Sequence, residues 1–435
     1  MDYNDAVRYL NEETTEGIEP DLSRITLLCE KLGNPEKAFR AIHITGTNGK
    51  TTTARMVDSV LTDAGFKSGY YTSPHLVSYT ERFTANGRYI TEKRFARLVE
   101  DIAPLIAEVN STIENMITQF EALTAIAFTY FREENVDCAV VEVGMGGSWD
   151  ATNLIDSDVA VITNVALEHT DRLGETITEI AKEKSGIIKR SASVVTAAGQ
   201  QDVLDIIQER CEEQDARLYV AGRDFAVDIK KSDSGKGQII DVRTIDKTYR
   251  NIDLALVGKH QATNAATAVV AAELFLKKNK PEALDGLGTA ISTAISQVSS
   301  PGRLEVVGTR PLIVLDGAHN PAAAVRLRES LEGDFEYDRL ILVLGMLGDK
   351  DTGGILDILI DKADTIIATQ STSYRAMSAK TLGEAIERRH RPVKVCGSVK
   401  DAIASARTSA GPEDMILITG SIYTIGEAKE CLGNG

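Results

Sequence analysis

The sequence predicts an α/β protein with two domains. Short apolar segments alternate with segments of helical periodicity along most of the chain, which is typical of helices covering a mostly parallel sheet. A glycine-rich turn at residues 46–49 follows one apolar run and indicates a phosphate-binding loop. With 435 residues, the chain exceeds the ~250–300 residues at which one hydrophobic core stops growing. We therefore expect a larger N-terminal domain that carries the loop and a smaller, Rossmann-like C-terminal domain.

The phosphate loop has the clearest chemistry. An apolar run is followed by Gly46-Thr47-Asn48-Gly49-Lys50-Thr51-Thr52, and residues 54–64 have the period of a helix. Glycines let the backbone approach phosphate oxygens, Lys50 can reach the β- and γ-phosphates, and the Thr51 hydroxyl can bind Mg²⁺. The pattern lacks the first glycine of the full Walker A motif, because Ile44 stands there. A glycine-rich turn without chemistry is the alternative, but the lysine, threonine, strand and helix favour nucleotide binding.

The later elements continue the alternation. In the first domain we expect strands within 67–75, 138–147, 158–164 and 192–198, and helices at 92–109, 118–134, 175–188, 200–214, 259–278 and 281–296. Polar, glycine-containing residues 222–256 predict a small antiparallel patch. The run Ser299-Ser300-Pro301-Gly302-Arg303 breaks the pattern, so we predict an ATP-binding domain at 1–298 and a second domain at 299–435. Beyond it, strands are expected near 311–315, 339–345, 364–369, 392–396 and 414–419.

Two strands carry polar residues of interest. Glu142 lies near the carboxyl end of the apolar run that starts at Cys138. Burying a carboxylate costs several kcal/mol unless a partner compensates it. A metal ion is one such partner, and backbone amides or an arginine are the alternative. The strand at 158–164 leads into Glu168-His169-Thr170-Asp171, where His169 is either a metal ligand or a structural histidine.

Composition excludes several classes of protein. A net charge of −16 disfavours nucleic-acid binding, and no run approaches the ~18 apolar residues of a membrane span. The five cysteines are scattered and form no C-x-x-C motif, so neither a disulfide framework nor a thiolate metal site is predicted. The N-terminus lacks the pattern of a secretory signal. We expect a cytoplasmic monomer that binds small molecules, with no nucleic-acid or membrane partner.

Several further strings carry a resemblance to a known family. In chain order they are Thr72-Ser73-Pro74-His75-Leu76 with Glu81-Arg82, Glu142-Val143-Gly144-Met145-Gly146-Gly147 with Asp150-Ala151-Thr152-Asn153, Glu168-His169-Thr170-Asp171 with Glu183-Lys184-Ser185-Gly186, His260-Gln261-Ala262-Thr263-Asn264, Pro301-Gly302-Arg303 and Asp316-Gly317-Ala318-His319-Asn320-Pro321. With the phosphate loop, the chain resembles the folylpolyglutamate synthase and dihydrofolate synthase family of Mur-type ligases. The match runs from about residue 40 to the end.

The resemblance implies an ATP-dependent ligase that joins L-glutamate to a pterin acid, either dihydropteroate or reduced folates, through an acyl phosphate. It implies two Mg²⁺ or Mn²⁺ sites, one with Thr51 and Glu142 and a second with Ser73, Glu142 and His169. Lys184 matches a lysine that is carbamylated in related enzymes; a surface residue or a phosphate partner is the alternative. The family's ATP contacts match Asn264, Arg303 and Asp316 beside the loop, its catalytic residues match Lys50, Lys184 and His319, and its substrate contacts match Arg82, Phe120, Asp150 and His319.

Two departures leave the acceptor open. The loop has Thr51-Thr52 where many folate members have Gly-Ser, and Ser148 stands where many members carry Arg. The alternatives are therefore a Mur-type ligase acting on a cell-wall precursor or another coenzyme acid, and a nucleotide-binding regulatory ATPase. The sequence does not separate a dihydrofolate synthase from a folylpolyglutamate synthase or from an enzyme with both activities.

Overall fold

The computed structural model describes residues 1–15, 17, 20–233 and 235–433. The chain divides into two compact units. The first contains residues 1–228, 240–253 and 261–298, and the second contains 229–239, 254–260 and 299–435. In the described part of the chain, no helix is long and apolar enough to cross a bilayer.

The first unit is built on an eight-stranded sheet within the described residues. Its strands are β1 (Arg40–Thr45), β2 (Ser68–Tyr71), β3 (Phe83–Ala85), β4 (Arg88–Tyr89), β5 (Cys138–Glu142), β6 (Val159–Ile162), β7 (Ser193–Thr196) and β8 (Arg217–Val220). The order is β4-β3-β2-β5-β1-β6-β7-β8, parallel except at β3 and β4. The prediction of a mostly parallel sheet is confirmed.

Strand β1 lies in the middle of this sheet and is buried from Ala41 to Thr45, as expected for a strand covered on both faces. It pairs with β5 on one side and β6 on the other. In the β1–β5 register, Ile44 is opposite Glu142. The Glu142 carboxylate of β5 therefore lies at the level where β1 leads into the phosphate loop, at the carboxyl ends of the strands, where α/β sheets bind ligands.

Two of the helices that cover the sheet begin at reciprocal capping boxes. Thr118 and Glu121 form a reciprocal capping box at the start of the fifth helix, and Thr176 and Glu179 do the same at the seventh. The helices of this unit are α1 (Tyr3–Glu13), α2 (Ser23–Lys31), α3 (Lys50–Asp63), α4 (Glu92–Asn110), α5 (Gln119–Glu133), α6 (Thr170–Leu173), α7 (Ile177–Ser185), α8 (Gln201–Glu213), α9 (Lys259–Asn279) and α10 (Leu287–Gln297).

Helix α5 is buried on all sides from Glu121 to Phe131, although its sequence suggests one broad apolar face. The buried Glu121 carboxylate is compensated by Arg24 of α2, whose Nε lies 3.0 Å from Oε1. This ion pair lets α2 and α5 pack together without leaving a charge unpaired.

A separate sheet with the order β11-β10-β9 contains β9 (Ala226–Asp233), β10 (Gly237–Arg243) and β11 (Thr248–Leu254). These strands lie within the 222–256 segment that was predicted to form a small patch.

The second unit has a six-stranded sheet among its described residues, in the order β12-β13-β17-β14-β15-β16. Of these six strands, only β12 runs antiparallel to its neighbour. The sequence did not predict β12, because this edge strand is only partly buried and contains Gly308. The strands are β12 (Glu305–Thr309), β13 (Leu312–Asp316), β14 (Leu340–Leu344), β15 (Thr365–Ala368), β16 (Lys394–Val395) and β17 (Met415–Thr419), and the helices are α11 (Pro321–Gly333), α12 (Thr352–Leu359), α13 (Ala379–Glu387), α14 (Val399–Ser409) and α15 (Ile422–Gly433).

Candidate active site

The phosphate loop connects β1 to α3 and requires glycine at two positions. Gly46 has φ +142°, and a Cβ there would lie 1.9 Å from the Thr163 Oγ1. Gly49 has φ +86°, and a Cβ there would lie 2.7 Å from the Oδ1 of Asn264 on α9. Both the backbone angles and these close approaches exclude a side chain. Asn264 is thus packed directly on the loop.

Residues after β6 hold the loop in place. The hydroxyl of Thr163 and the amide of Asn164 both donate to the Asn48 carbonyl, at 2.7 and 2.8 Å. Asn164 Oδ1 also accepts from the Asn48 backbone N–H at 3.1 Å. The Thr47 hydroxyl bonds the backbone of Ala166. Thr163 and Asn164 were not among the predicted site residues, although a polar pair directly after an apolar strand is a signal that could have identified them.

Lys50 is the first residue of α3, and its side chain folds back over the loop. Its Nζ donates to the carbonyls of Gly46 at 2.7 Å and Thr47 at 3.2 Å. The ammonium charge is therefore held at the loop, where helix-terminal amides also favour an anion. Thr52, in the first turn of α3, is buried.

Glu142 is buried, with 1% of its surface exposed, and hydroxyl groups from two elements converge on it. The Thr51 hydroxyl donates to Oε1 at 2.8 Å, and the Thr72 hydroxyl donates to Oε2. A carboxylate with two hydroxyls is a set of hard oxygen donors, which is the kind that Mg²⁺ prefers. These residues therefore fit the predicted metal.

The other two predicted metal ligands lie in nearby loops. Ser73 directly follows Thr72 and is half-buried. His169 is half-buried before α6 and has a left-handed φ of +47°. Thr72, whose hydroxyl reaches Glu142, was missed as a site residue. Among the described residues, no three or more His, Cys, Asp and Glu side chains cluster in a way that could hold a metal.

Lys184 lies on α7 and forms a buried ion pair. Its Nζ is 2.8 Å from Glu168 Oε1, and the two side chains are 2% and 8% exposed. Burial raises the pKa of Glu168, but the charges of Lys184 and Lys50 outweigh this effect and lower it to about 2. Burial lowers the pKa of Lys184, against the attraction of Glu168. Lys184 is therefore not a surface residue, and Glu168 is a partner that the sequence did not reveal.

The loop after β5 is held by Asp150 and by the end of α7. Asp150 Oδ2 accepts from the Met145 backbone N–H at 2.8 Å, and Oδ1 accepts from that of Thr152 at 3.0 Å. Burial raises the pKa of Asp150 to about 6. A Cβ on Gly147 would lie 2.7 Å from the Glu183 carbonyl, so the second glycine lets this loop contact α7.

Phe120 contacts this loop, and Arg82 forms a separate cluster with His75 and Tyr79. The ring of Phe120 lies against Gly144, where an added Cβ would be 2.5 Å from Cζ. Arg82 Nε donates to His75 Nδ1 at 2.8 Å, and its guanidinium lies 5.3 Å from the centre of the Tyr79 ring. Burial and the nearby Arg82 charge lower the pKa of His75 to about 3, so this imidazole is neutral at pH 7. The substrate roles of Arg82, Phe120 and Asp150 stay predictions.

In the second unit, the predicted residues meet at the end of β13. Asp316 accepts from the backbone N–H groups of Leu304 and Ala318, both at 2.9 Å. Burial raises its pKa, and the Arg303 charge opposes that shift. A Cβ added to Gly317 would lie 3.3 Å from the Arg303 guanidinium. The Gly317 carbonyl lies 2.7 Å from His319 Nδ1. Asp316 and His319 thus lie in the segment after β13 that Arg303 approaches, while the roles of these three residues toward ATP or glutamate stay predictions.

The chain matches two family models. Residues 44–272 match the Mur ligase middle domain, and residues 302–422 match the Mur ligase glutamate ligase domain. It is 37% identical to a dihydrofolate synthase/folylpolyglutamate synthase of Mycobacterium tuberculosis, over 96% of this chain and 91% of that one. It is 34% identical to the Bacillus subtilis protein of the same name, with 99% of both chains covered.

Solved structures agree over the whole length. A Mycobacterium tuberculosis folylpolyglutamate synthase complexed with ADP has a TM-score of 0.92 and 36% identity, covering 99% of this chain and 98% of that chain. E. coli FolC in complex with DHPP and ADP has a TM-score of 0.86 and 31% identity, covering 100% of this chain and 98% of that chain.

Proposed function

The chain belongs to the folylpolyglutamate synthase and dihydrofolate synthase family of Mur ligases and is an ATP-dependent ligase, and we propose that it joins L-glutamate to a pterin acid. One structural observation carries the proposal: the phosphate loop with Lys50 lies beside a buried carboxylate, Glu142, to which the loop hydroxyl of Thr51 is bonded. The related structure with DHPP and ADP supports a pterin acid as acceptor.

The reaction follows from the chemistry of a carboxylate, which has no leaving group. An acceptor carboxylate oxygen attacks the γ-phosphorus of ATP, the bond to the β-phosphate oxygen breaks, and ADP leaves. The glutamate amine then attacks the acyl carbon, loses its proton to solvent and expels inorganic phosphate. Lys50 and the loop amides would neutralise the negative charge that develops on the transferred phosphoryl group.

We propose that Mg²⁺ binds at Thr51 and Glu142, with a second ion at Ser73, Glu142 and His169. When bound, the ion would supply positive charge at the phosphate oxygens. The part of this proposal that rests on the structure is the pair of hydroxyls, from Thr51 and Thr72, that orients both Glu142 oxygens. These hydrogen bonds keep a buried carboxylate in one orientation before any ligand arrives.

We also propose that Lys184 is carbamylated in solutions that contain CO₂. A neutral amine attacks the carbon of CO₂, an N–C bond forms and one proton is released. Burial lowers the pKa of Lys184 and so favours the neutral amine that this reaction needs, which supports the proposal. The resemblance places the resulting negative charge near the second metal ion.

The remaining assignments follow the family residue by residue. We propose that Gly46, Thr47, Asn48, Gly49, Thr52, Asn264, Arg303 and Asp316 bind ATP, and that Arg82, Phe120, Asp150 and His319 contact the acceptor or glutamate. We further propose that 1–298 forms the ATP-binding domain and 299–435 the glutamate-ligase domain, and that the protein acts as a cytoplasmic monomer.

An acceptor screen tests the proposed function. Phosphate release is measured with ATP, Mg²⁺ and L-glutamate, with dihydropteroate, tetrahydrofolate or a cell-wall precursor as acceptor. We expect release only when a pterin acid and glutamate are both present, and mass spectrometry should find the glutamylated product. Release with the cell-wall precursor alone would favour the other Mur-type activity, and release without acceptor would indicate a regulatory ATPase. The Lys50→Ala variant, which should fold but not turn over, controls for contaminating activity.

A further inference from the structure

Two arginines of the second unit are half-buried. Arg303 follows the Pro301-Gly302 turn, and Arg326 lies on α11. Neither guanidinium forms a hydrogen bond or an ion pair with any residue that the structure describes. Partly buried charges normally have a partner, because removing a cation from water is costly unless an opposite charge compensates it.

His260 connects the two arginines. The charges of Arg326 and Arg303 both act on its imidazole, and together with burial they lower its pKa to about 4. The ring lies against Gly258, where an added Cβ would be 2.6 Å from His260 Cε1 and 3.1 Å from Ser330 Oγ. Ser330 is one helical turn beyond Arg326 on α11, so the imidazole packs beside the helix face that carries Arg326.

Carboxylates act on both arginines, but none of the described ones forms an ion pair with either guanidinium. At pH 7 His260 is neutral, and the two guanidinium groups remain charged. Among the described carboxylates, Glu329 is the one that acts on Arg326, and it is exposed to solvent. Asp316 acts on Arg303, but both Asp316 oxygens accept from backbone N–H groups. No described residue forms a hydrogen bond or an ion pair with the Arg326 guanidinium, so its N–H donors can bind a negative ligand.

We propose that Arg326 binds an oxyanion of a substrate. Guanidinium groups offer paired N–H donors that match the oxygens of a carboxylate or a phosphate, and such charge-assisted bonds are strong. The substrates of the proposed ligase offer both kinds of group, in L-glutamate and in ATP. The inference rests on the proposed function for the identity of the anion, but not for the existence of the site.

A neighbouring arginine supplies a matched control. Arg328 lies on the same helix, two residues further along, and is already satisfied: its Nε donates to Glu332 at 3.3 Å and its Nη1 to the Ile358 carbonyl at 3.1 Å. Arg326→Met and Arg328→Met each remove one guanidinium and keep a long apolar side chain. Arg326→Lys keeps the charge and loses the planar donor pair.

The first measurement needs no catalysis. Thermal unfolding is followed with inorganic phosphate and, separately, with L-glutamate. Either anion that occupies the site should raise the midpoint of wild type and of Arg328→Met more than that of Arg326→Met, which keeps the phosphate loop. Without anions, Arg326→Met should unfold no earlier than wild type, because its half-buried charge has no partner to lose among the described residues. An earlier midpoint without anions, or equal stabilisation of all three proteins, would overturn the inference.

Steady-state kinetics then identifies the anion. We expect Arg326→Met to raise the KM of one substrate at least tenfold with kcat within about threefold of wild type, and Arg326→Lys to recover part of the loss. A raised KM for L-glutamate assigns the site to a carboxylate, and a raised KM for ATP assigns it to a phosphate. Unchanged KM values for both substrates would refute the site. If wild type showed no glutamate-dependent turnover, the proposed function would fail instead, and the unfolding comparison would still test the anion site.

Discussion

Removing Lys184 should destabilise the first unit, because it leaves the Glu168 carboxylate buried without its partner. The pKa of Glu168 is lowered from 4.5 to about 2, and at 1.36 kcal/mol per unit this corresponds to about 3 kcal/mol. Removing one member of a buried pair costs ~3–5 kcal/mol in measured cases, which agrees with this figure. We therefore expect Lys184→Met to lower the free energy of unfolding by about 3–5 kcal/mol at pH 7.

A double-mutant cycle separates this pair from its surroundings. Glu168→Gln should cost less than Lys184→Met, because burial already lowers the pKa of Lys184 and the amine can lose its proton. In the double variant neither charge remains, so its free energy of unfolding should lie within about 1 kcal/mol of wild type. The contribution of Glu168 has a defined pH range. Its folded pKa lies below its unfolded value, so the stabilisation is present above pH 4.5 and is lost as the pH falls through about 2.

The assay is urea unfolding in CO₂-free buffer, so that Lys184 is a free amine. Trp149 is the single tryptophan of the chain, and it packs against the core cluster that contains Ile180 and Ile187, beside Lys184. Its fluorescence therefore reports the local transition. Two results would refute the reasoning: Lys184→Met within about 0.5 kcal/mol of wild type, or Glu168→Gln more stable than wild type. The second result would indicate that Glu168 faces a negative group instead of the Lys184 ammonium.

Three further predictions concern the loop and the residues around it. Gly49→Ala should weaken ATP binding at least tenfold, because Gly49 has φ +86° and an added Cβ would lie 2.7 Å from Asn264 Oδ1. The control is Gly65→Ala, which has a similar φ of +85° but no described atom within 4 Å of the added Cβ and should keep the affinity. Equal ATP affinities of the two variants, measured by calorimetry, would contradict the loop assignment. Glu142→Gln keeps the shape and removes the charge, so turnover should fall at least 100-fold and recover only partly with added Mg²⁺, whereas normal turnover would mean that the carboxylate is structural. Burial raises the pKa of Asp58 from 3.8 to about 6, so the folded state binds the proton more tightly and the free energy of unfolding falls as the pH rises from 4 to 6. Asp58→Asn should remove up to about 3 kcal/mol of this fall. Parallel curves of stability against pH for the two proteins would show that Asp58 does not titrate there.

Much of the fold could be predicted because its signals are local. The alternation of apolar runs with helical segments predicted the parallel strands of both sheets except β8, which no predicted strand covered. The Ser299–Arg303 interruption coincides with a change of unit at residues 298 and 299. Strand β12 was missed because an edge strand is exposed and need not be apolar. The all-round burial of α5 was missed because Glu121 reads as an exposed charge until its partner Arg24, 97 residues away, is known.

The phosphate loop could be identified without any coordinates, because the glycines, Lys50, the preceding strand and the following helix are all within one short stretch. The side chains that surround Glu142 and Lys184 could not, because they come from separate elements. The Thr72 hydroxyl bonds Glu142 because β2, which ends at Tyr71, lies beside β5 in the sheet, and only the tertiary structure brings these two elements together. Glu168 meets Lys184, and Arg326 forms no ion pair in the described part of the chain, because the packing of separate elements sets these distances. The spacing of these residues along the chain does not predict these distances.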